Sequence, residues 1–419
     1  MKKLFLSCVF FATPLAAQAA GFALIEQSGS GMGNAYAGGS AVAEDASTIF
    51  FNPAGMTYIQ GTQLVGAVHL VKPNAEFNNE GSVRALPRPL GGEGGNAGNL
   101  AFLPNIYFKT DLNETIKLGI GISAPFGLKT EYDKDFIGRF QGIKSDLKTI
   151  NINPAIAFKV NDQLSLGAGL SAMYAKATLT SAINIGAAER ESEVEGDDWG
   201  FGFNLGAIYQ ATADTRFGIA YRSKVKQELE GKAKSNFTGL NAIPTRTLNT
   251  DITAETSLPE NLSISAFSRL NDTWDLMGDI TWTRWSRFDE LRIVRDNGTN
   301  STLSVTPENW QNSNRYSLGL NYHYSDAIKL RAGIAYDEEA IKERFRTVRI
   351  PGNDRKWLAL GAGWQATPST KLDIGYAHLF ISDTKVDDNQ TALVPSRGRV
   401  KGEYEGSVDI LSLQLTHNF

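Results

Sequence analysis

The sequence predicts an all-β protein: a transmembrane antiparallel β-barrel of about 14 strands, its lumen holding an N-terminal hatch of short helices and loops. Three observations carry that expectation. A Gly-rich segment that fits neither a strand nor a long helix opens the chain after its leader. Alternating strands then run almost to the last residue. The connections between them are short on one side and long on the other.

Residues 1–19 stand apart from the fold. Lys2 and Lys3 form a positive n-region, residues 4–15 an apolar core, and Ala17-Gln18-Ala19 an A-x-A cleavage signal. The segment reads as a secretory signal peptide, with the mature chain expected to begin at Ala20. Its apolar run is too short for a membrane anchor, and no stop-transfer charges follow. The only cysteine, Cys8, lies near the start of that run, where no lipoprotein anchor forms, so the mature chain is expected to hold together without disulfides. Losing the leader leaves 39 basic against 45 acidic residues, a net charge of −6, which argues against a nucleic-acid partner. No run of 18 apolar residues remains, which excludes a helical membrane protein. A mean hydropathy of −0.22 does not exclude a barrel, whose strands average lipid-facing apolar and lumen-facing polar residues.

Residues 20–60 are expected to form the hatch, and residues 61–419 the barrel. The stretch 21–58 carries glycines at 21, 29, 31, 33, 38, 39 and 55, which interrupt any 3.6-residue apolar stripe. Such backbone suits short helical turns packed closely against other walls. It ends in Asn52-Pro53-Ala54-Gly55, where Pro53 lacks an amide donor and holds Asn52 extended. Gly29-Ser30-Gly31-Met32-Gly33 resembles a phosphate loop only superficially, because no strand precedes it and no Lys-Ser/Thr follows.

From residue 62 onward one unit recurs. A short polar turn is followed within a few residues by an alternating strand that contains Gly and often Tyr. The turns are Asp111-Leu112-Asn113-Glu114, Asn161-Asp162, Ala213-Asp214, Asn271-Asp272, Ser325-Asp326 and Pro368-Ser369. Long polar segments separate them, including a Gly/Pro-dense loop over 81–99. Short turns at one end and long loops at the other are the layout of an outer-membrane barrel.

Alternation fixes the register. Leu330, Ile334 and Tyr336 share a face opposite Lys329 and Arg331, and Trp274, Leu276, Ile280 and Trp282 oppose Asp275 and Asp279. Tyr316, Leu318 and Leu320 oppose Arg315 and Asn321. One flipped register would place Lys329 and Arg331 in lipid at roughly 2–4 kcal/mol each. A soluble β-sandwich also alternates, but it would not turn large aromatic rows outward. The last strand, 408–419, ends on Phe419 with Leu411, Leu413 and Leu415 on one face, a terminus that resembles the signature read by the barrel assembly machinery.

Several motifs together resemble the FadL-type long-chain fatty acid transporter family, which also includes channels for toluene and related aromatics. They are Gly21-Phe22, Gly31-Met32-Gly33-Asn34-Ala35-Tyr36-Ala37-Gly38, Glu44-Asp45-Ala46 and Asn52-Pro53-Ala54. Further along come residues 199–204 (WGFGFN), Tyr221-Arg222-Ser223, residues 282–286 (WTRWS), Ile350-Pro351, Asp354-Arg355 and Trp357-Leu358. The resemblance covers essentially the whole mature chain. It implies a 14-stranded barrel closed by a hatch, an extracellular apolar groove, an inner pocket and a sideways exit through the wall. It also implies Gly21, Phe22, Asn52, Pro53 and Ala54 as hatch and gating residues.

The energetics fit such a route. Leaving water is worth about 0.8 kcal/mol per methylene, or about 12 kcal/mol for a sixteen-carbon chain, so the solute needs no pump to enter an apolar pocket. An opening in the wall requires interrupted pairing. Gly119 and Gly121 in the third strand weaken packing, and Pro125-Phe126-Gly127 breaks the ladder, although these glycines equally make room for the hatch. Residues 52–54 are expected to brace the hatch against this strand.

Catalysis finds no support: His69, His323, His378 and His417 all fall in expected strands, none makes HExxH, and G-x-S-x-G is absent. No cofactor or metal is expected. The acidic run 191–198 reads as a solvated loop. Arg284, Arg287 and Arg292 read either as carboxylate ligands or as a rim facing anionic headgroups. The expected partners are a hydrophobic small molecule, outer-membrane lipid and lipopolysaccharide, and the assembly machinery, for a monomer in a Gram-negative outer membrane. A monoaromatic hydrocarbon is the alternative solute. A general porin or an adhesin is the alternative class, although a porin needs no 40-residue plug.

Overall fold

The computed structural model describes residues 21–186, 188–236, 248–298, 300–388 and 397–419; the expected leader and Ala20 lie outside them. Twenty antiparallel strands form one sheet. They are β1 (Gln63–Asn79), β2 (Ala101–Asp111), β3 (Ile116–Ser123), β4 (Gly127–Glu131), β5 (Lys144–Lys159), β6 (Leu164–Asn184) and β7 (Glu189–Gln210). Then come β8 (Thr215–Arg222), β9 (Val225–Asn236), β10 (Leu248–Leu258), β11 (Asn261–Arg269), β12 (Trp274–Thr283), β13 (Glu290–Arg295) and β14 (Thr302–Pro307). The last are β15 (Ser313–His323), β16 (Ile328–Asp337), β17 (Arg355–Thr367), β18 (Thr370–Ile381), β19 (Thr384–Asp388) and β20 (Val400–Asn418). Six staves each consist of two strands in series (β3/β4, β8/β9, β10/β11, β12/β13, β14/β15 and β18/β19), so the closed barrel has 14 staves.

Closure is by β1 against β20, in register from Gln63–Asn418 to Asn79–Gly402. A closed ladder satisfies the backbone groups internally, as a bilayer demands. No described helix is long and apolar enough to cross a membrane.

The six expected tight turns join the staves at one end, and local hydrogen bonds explain their sequences. Asn113 Oδ1 accepts from the amides of Thr115 and Ile116, Asn161 Oδ1 from Gln163 and Leu164, and Asn271 Oδ1 from Thr273 and Trp274. Each side chain replaces a ladder partner just where the chain reverses. The faces also match expectation. Leu318, Ile334, Ile280 and Leu413 point outward, whereas Arg331, Asp275, Arg315 and Asn321 are buried in the lumen.

The hatch consists of α1 (Gly29–Met32), α2 (Gly39–Val42), α3 (Thr48–Phe51) and a 3-10 turn, Pro53–Tyr58. Four-residue helices cannot stand alone, so the barrel wall must hold them. It does so with two floors of glycine. Gly167 of β6 lies against the backbone of Pro53 and Ala54, Gly206 of β7 against Asn52, and Gly218 of β8 against Ser40. Across the lumen, Gly319 pairs with Gly333 and Gly361 with Gly375, under the turn from Met32 to Ala37. The brace of Asn52, Pro53 and Ala54 is thus β6–β8 rather than the third strand. There Gly167, Gly206 and Gly218 leave the wall without side chains against Pro53, Ala54, Asn52 and Ser40.

The acidic run is also placed differently from expectation. Residues 191–198 form the extracellular part of β7, paired with β6 and β9. Glu195 meets Lys176 at 3.1 Å and Glu193 meets Lys234 at 3.7 Å, so cross-strand partners offset the like charges that suggested a loop.

Candidate functional site

The ladder of the wall is interrupted between β2 and β4. On β2 the ladder with β3 runs from Asp111–Lys117 to Ile106–Ile122 and stops, whereas β2 continues beside β1 to Ala101. Beyond Ser123 the chain turns at Ala124, Pro125 and Phe126 and resumes as β4, which pairs with β5. No described ladder joins residues 101–105 to β4. Pro125 supplies the physical cause, since it cannot donate to a neighbour. Gly119 and Gly121 sit lower, in unbroken ladders on both sides. A Cβ at 119 would meet Ile49 and Met56 of the hatch, and one at 121 the ring of Tyr107. The interruption itself lies at 124–126.

The first described residues cross this gap from inside. Leu24 N donates to Pro125 O at 2.8 Å and Gly127 N to Phe22 O at 2.9 Å, making Ala23 and Phe126 an antiparallel bridge. Gln27 Nε2 donates to Ala124 O, and Asn105 Nδ2 to Glu26 O. Phe22 enters a box of aromatic rings, with centroids 4.7 Å from Trp285, 5.6 Å from Phe288, 5.6 Å from Trp310 and 6.1 Å from Phe126. Gly21 has φ +63°, and a Cβ there would strike Trp285 and Trp310, so glycine is what lets the tail enter.

Beside the box is a cavity of about 120 Å³, lined by apolar residues including Leu24, Phe51, Pro125 and Phe126 and by polar ones including Asn204, Arg222, Asp279, Arg315 and Asp337. A larger extracellular groove of about 620 Å³ has Leu179, Ile183, Val194, Ile293 and Leu303 on its walls and Arg349 among its polar groups. Arg349 donates to Lys144 O at 3.0 Å, and burial draws its guanidinium down to about 10. Glu308, beside the aromatic box, is raised to about 8 by burial, against the pull of its hydrogen bond from Trp310 Nε1 at 2.9 Å.

Polar contacts lock the body of the hatch. Glu44 receives Lys329 at 3.0 Å, Arg331 at 2.8 Å and Lys371 at 2.6 Å. Burial alone would raise this carboxyl, but the three cations hold it well below the usual range. Asn52 Nδ2 donates to Ser40 O at 2.7 Å and Ala207 O at 3.1 Å, while its Oδ1 accepts from Ala54 N. Arg216 donates to the carbonyls of Ala41 and Val42, between the rings of Tyr58 and Phe267. Gln63 Oε1 of β1 accepts from Ala46 N, and Gln414 of β20 bonds Gly29 N and Asp45.

Of the arginines noted in the sequence, Arg284 and Arg287 pair with Glu260, and Arg292 with Glu290. Their charges are met within the chain. Arg222, Arg315 and Arg349 are the lumen and groove cations that sequence reasoning missed. Arg222 stands in the Tyr221-Arg222-Ser223 motif and Arg315 on an alternating strand, but only the fold shows that they face a cavity. The four histidines lie in strands, as expected; His69 bonds Ser412 in the lumen and His378 bonds Asp409 on the outer face.

Comparison with known proteins agrees with this geometry. A long-chain fatty acid transport protein of Escherichia coli O6:H1 is 32% identical over 415 residues, covering 90% of each chain. Outer membrane protein P1 of Haemophilus influenzae is 33% identical over 403 residues, covering 87% of this chain and 86% of that protein. The crystal structure of a Pseudomonas aeruginosa FadL homologue superposes with a TM-score of 0.86 at 25% identity, covering 96% of this chain and all of that one. The Ralstonia pickettii toluene transporter TbuX shares the fold, with a TM-score of 0.68 at 19% identity, covering 94% of this chain and all of that one. The family profile described as outer membrane protein transport protein (OMPP1/FadL/TodX) matches residues 10–419. The chain therefore belongs to the FadL/TodX family of outer-membrane transport proteins, whose members are channels for hydrophobic compounds rather than enzymes.

Proposed function

We propose that this protein carries long-chain fatty acids passively across the outer membrane. The solute is captured in the extracellular groove beneath Leu179, Ile293 and Leu303. It then reaches the inner cavity by displacing the tail at Gly21 and Phe22. It leaves sideways into the bilayer between β2 and β4, at Pro125 and Phe126. Gly119 and Gly121 act in this scheme by seating the hatch beside the exit. The observation that carries the proposal is the unpaired wall at 124–126, where Pro125 and Phe126 line the inner cavity. A path down the lumen would have to remove a hatch that is bonded to walls on both sides. The relative named as a long-chain fatty acid transport protein supports the choice of solute.

A monoaromatic hydrocarbon is the second reading, favoured by the four aromatic rings around Phe22. Uptake of radiolabelled oleate and toluene by cells without their own transporter separates the two. Oleate uptake that depends on this protein is the expected result. Uptake of toluene alone would move the assignment to the second reading, and uptake of neither would overturn both.

A further inference from the structure

On the outer face of the wall, the apolar rows of four neighbouring staves end at one level, and the side chains that end them stand together. Outward positions alternate along each strand. On β1 they run Leu64, Gly66, Val68 and Leu70, and then Lys72. On β17, read from its far end, they run Trp364, Ala362, Leu360 and Leu358, and then Lys356. On β20, Leu415, Leu413 and Leu411 precede Asp409, and on β18, Leu372, Ile374 and Tyr376 precede His378. The ladders set these ends side by side. Lys72 and His378 are both register partners of Asp409, and Lys356 stands opposite Phe380, two residues beyond His378.

The carboxylates in this group already have donors. Asp409 Oδ1 accepts from Tyr376 Oη at 2.6 Å and bonds His378 Nδ1 at 2.8 Å. Asp354, just before Lys356, accepts from Tyr336 Oη at 2.7 Å and from Glu339 N at 2.8 Å. The next carboxylates along the closing seam, Glu76 and Glu405, are paired with each other further out. The two ammonium groups have no such partners. Both lysines are exposed, and neither makes an ion pair or hydrogen bond among the described residues. By contrast Lys176, on the outer face of β6, meets Glu195 at 3.1 Å.

An ammonium at the edge of a hydrocarbon band keeps its head at the level of the lipid headgroups. Heads without carboxylates there attract anionic lipid. Two staves, β18 and β20, separate the lysines, which puts their strands about 14 Å apart at the usual spacing. One phosphate does not span that interval, so the arrangement fits a headgroup that carries two. Below it Leu70, Leu411, Tyr376 and Leu358 are exposed and offer an apolar face to acyl chains. Lys72 follows Val71, the last β1 partner of β2, so the site borders the strand whose other ladder is interrupted.

We infer that Lys72 and Lys356 form a seat for a diphosphorylated glycolipid of the outer leaflet, the lipopolysaccharide class. Each lysine takes one phosphate, and the acyl chains lie on the apolar rows below. The seat is on the outer face and is independent of which solute crosses the lumen.

The test measures binding of diphosphoryl lipid A, monophosphoryl lipid A and phosphatidylglycerol to the full-length protein in detergent, by native mass spectrometry. A basic side chain beside an anionic lipid is worth about fivefold in affinity. The diphosphoryl form is therefore expected to bind about fivefold more tightly than the monophosphoryl form. Lys72→Gln and Lys356→Gln should each lower diphosphoryl binding about fivefold, and together about twenty-five-fold, erasing the difference between the two forms. Lys176→Gln, which removes the same charge from another part of the outer face, should change it less than about twofold. Heat-modifiable migration reports whether each barrel is assembled, and the single variants are read by themselves if the double variant is not. Equal affinity of the unaltered protein for the two forms would overturn the inference. So would unchanged diphosphoryl binding by an assembled variant at either lysine. An equal loss of phosphatidylglycerol binding would overturn it too, because it would show attraction to any anionic lipid.

Discussion

Asn52 in the hatch and Gly206 in β7 touch so closely that a Cβ at position 206 would collide with the Asn52 side-chain carbonyl. Asn52 also donates to Ala207 O at 3.1 Å and Ile219 O at 3.3 Å, so one amide ties the hatch to two neighbouring strands. Gly206→Val is expected to push this corner of the hatch off the wall, at a cost of about 1–3 kcal/mol in overpacking. The barrel should still assemble, because its ladder closes without the hatch. Planar-bilayer recordings should show higher and noisier conductance than the unaltered protein. Identical conductance would mean that the contact at 206 does not hold the seal.

Glu44 is the charge counterpart of that contact. Replacing it with Gln leaves Lys329, Arg331 and Lys371 facing one another, and breaking such a buried cluster costs about 3–5 kcal/mol. Its folded-state pKa is depressed, so its stabilisation is fully present above the ordinary value of 4.5 and is lost only as pH falls through the lower folded value. Conductance of the unaltered protein should therefore stay flat from neutral pH down to 4.5 and rise below it. Glu44→Gln should leak at every pH, and a tight Glu44→Gln channel would remove Glu44 from the seal.

The bridge between Ala23 and Phe126 invites a covalent lock. Their flanking hydrogen bonds make them a closely spaced antiparallel pair, with Cα atoms about 4.5 Å apart, within the range a disulfide spans. The chain beyond Cys8 has no other cysteine to compete. Oxidised Ala23→Cys/Phe126→Cys protein is expected to lose at least about nine-tenths of oleate uptake, with recovery on adding a reductant. Uptake through the oxidised form would show that the tail need not leave the opening.

Glu308 provides a second pH test with the opposite sign. Its folded pKa is raised to about 8, so the folded protein holds its proton more firmly than the unfolded chain. Its contribution to stability is present below about 4.5 and lost as pH rises toward 8, to a limit on the order of 4 kcal/mol. Glu308→Gln should be more heat-resistant than the unaltered protein at pH 8 and similar at pH 5, read by the temperature of its gel-mobility shift. Equal resistance at both pH values would show that the carboxyl is solvated.

Strand faces were legible in the sequence because they depend only on a period of two, which Leu330, Ile334 and Tyr336 keep against Lys329 and Arg331. The turns were legible because Asn113, Asn161 and Asn271 act within three residues of themselves. The hatch announced itself by its glycines, but not the wall it leans on. Asn52 meets a carbonyl 155 residues away, and nothing local selects β7 over β3. Residues 191–198 were misread because charge density outweighed a periodicity already present. Glu193, Glu195 and Asp197 alternate with Val194 and Gly196, as an outward-facing strand above the membrane requires.

Gln63 and Gln414 give the hatch a further consequence. One lies on the first stave and the other on the last, and both bond to the hatch next to the seam where β1 meets β20. The segment that fills the lumen therefore also bridges, from inside, the two staves whose pairing closes the sheet.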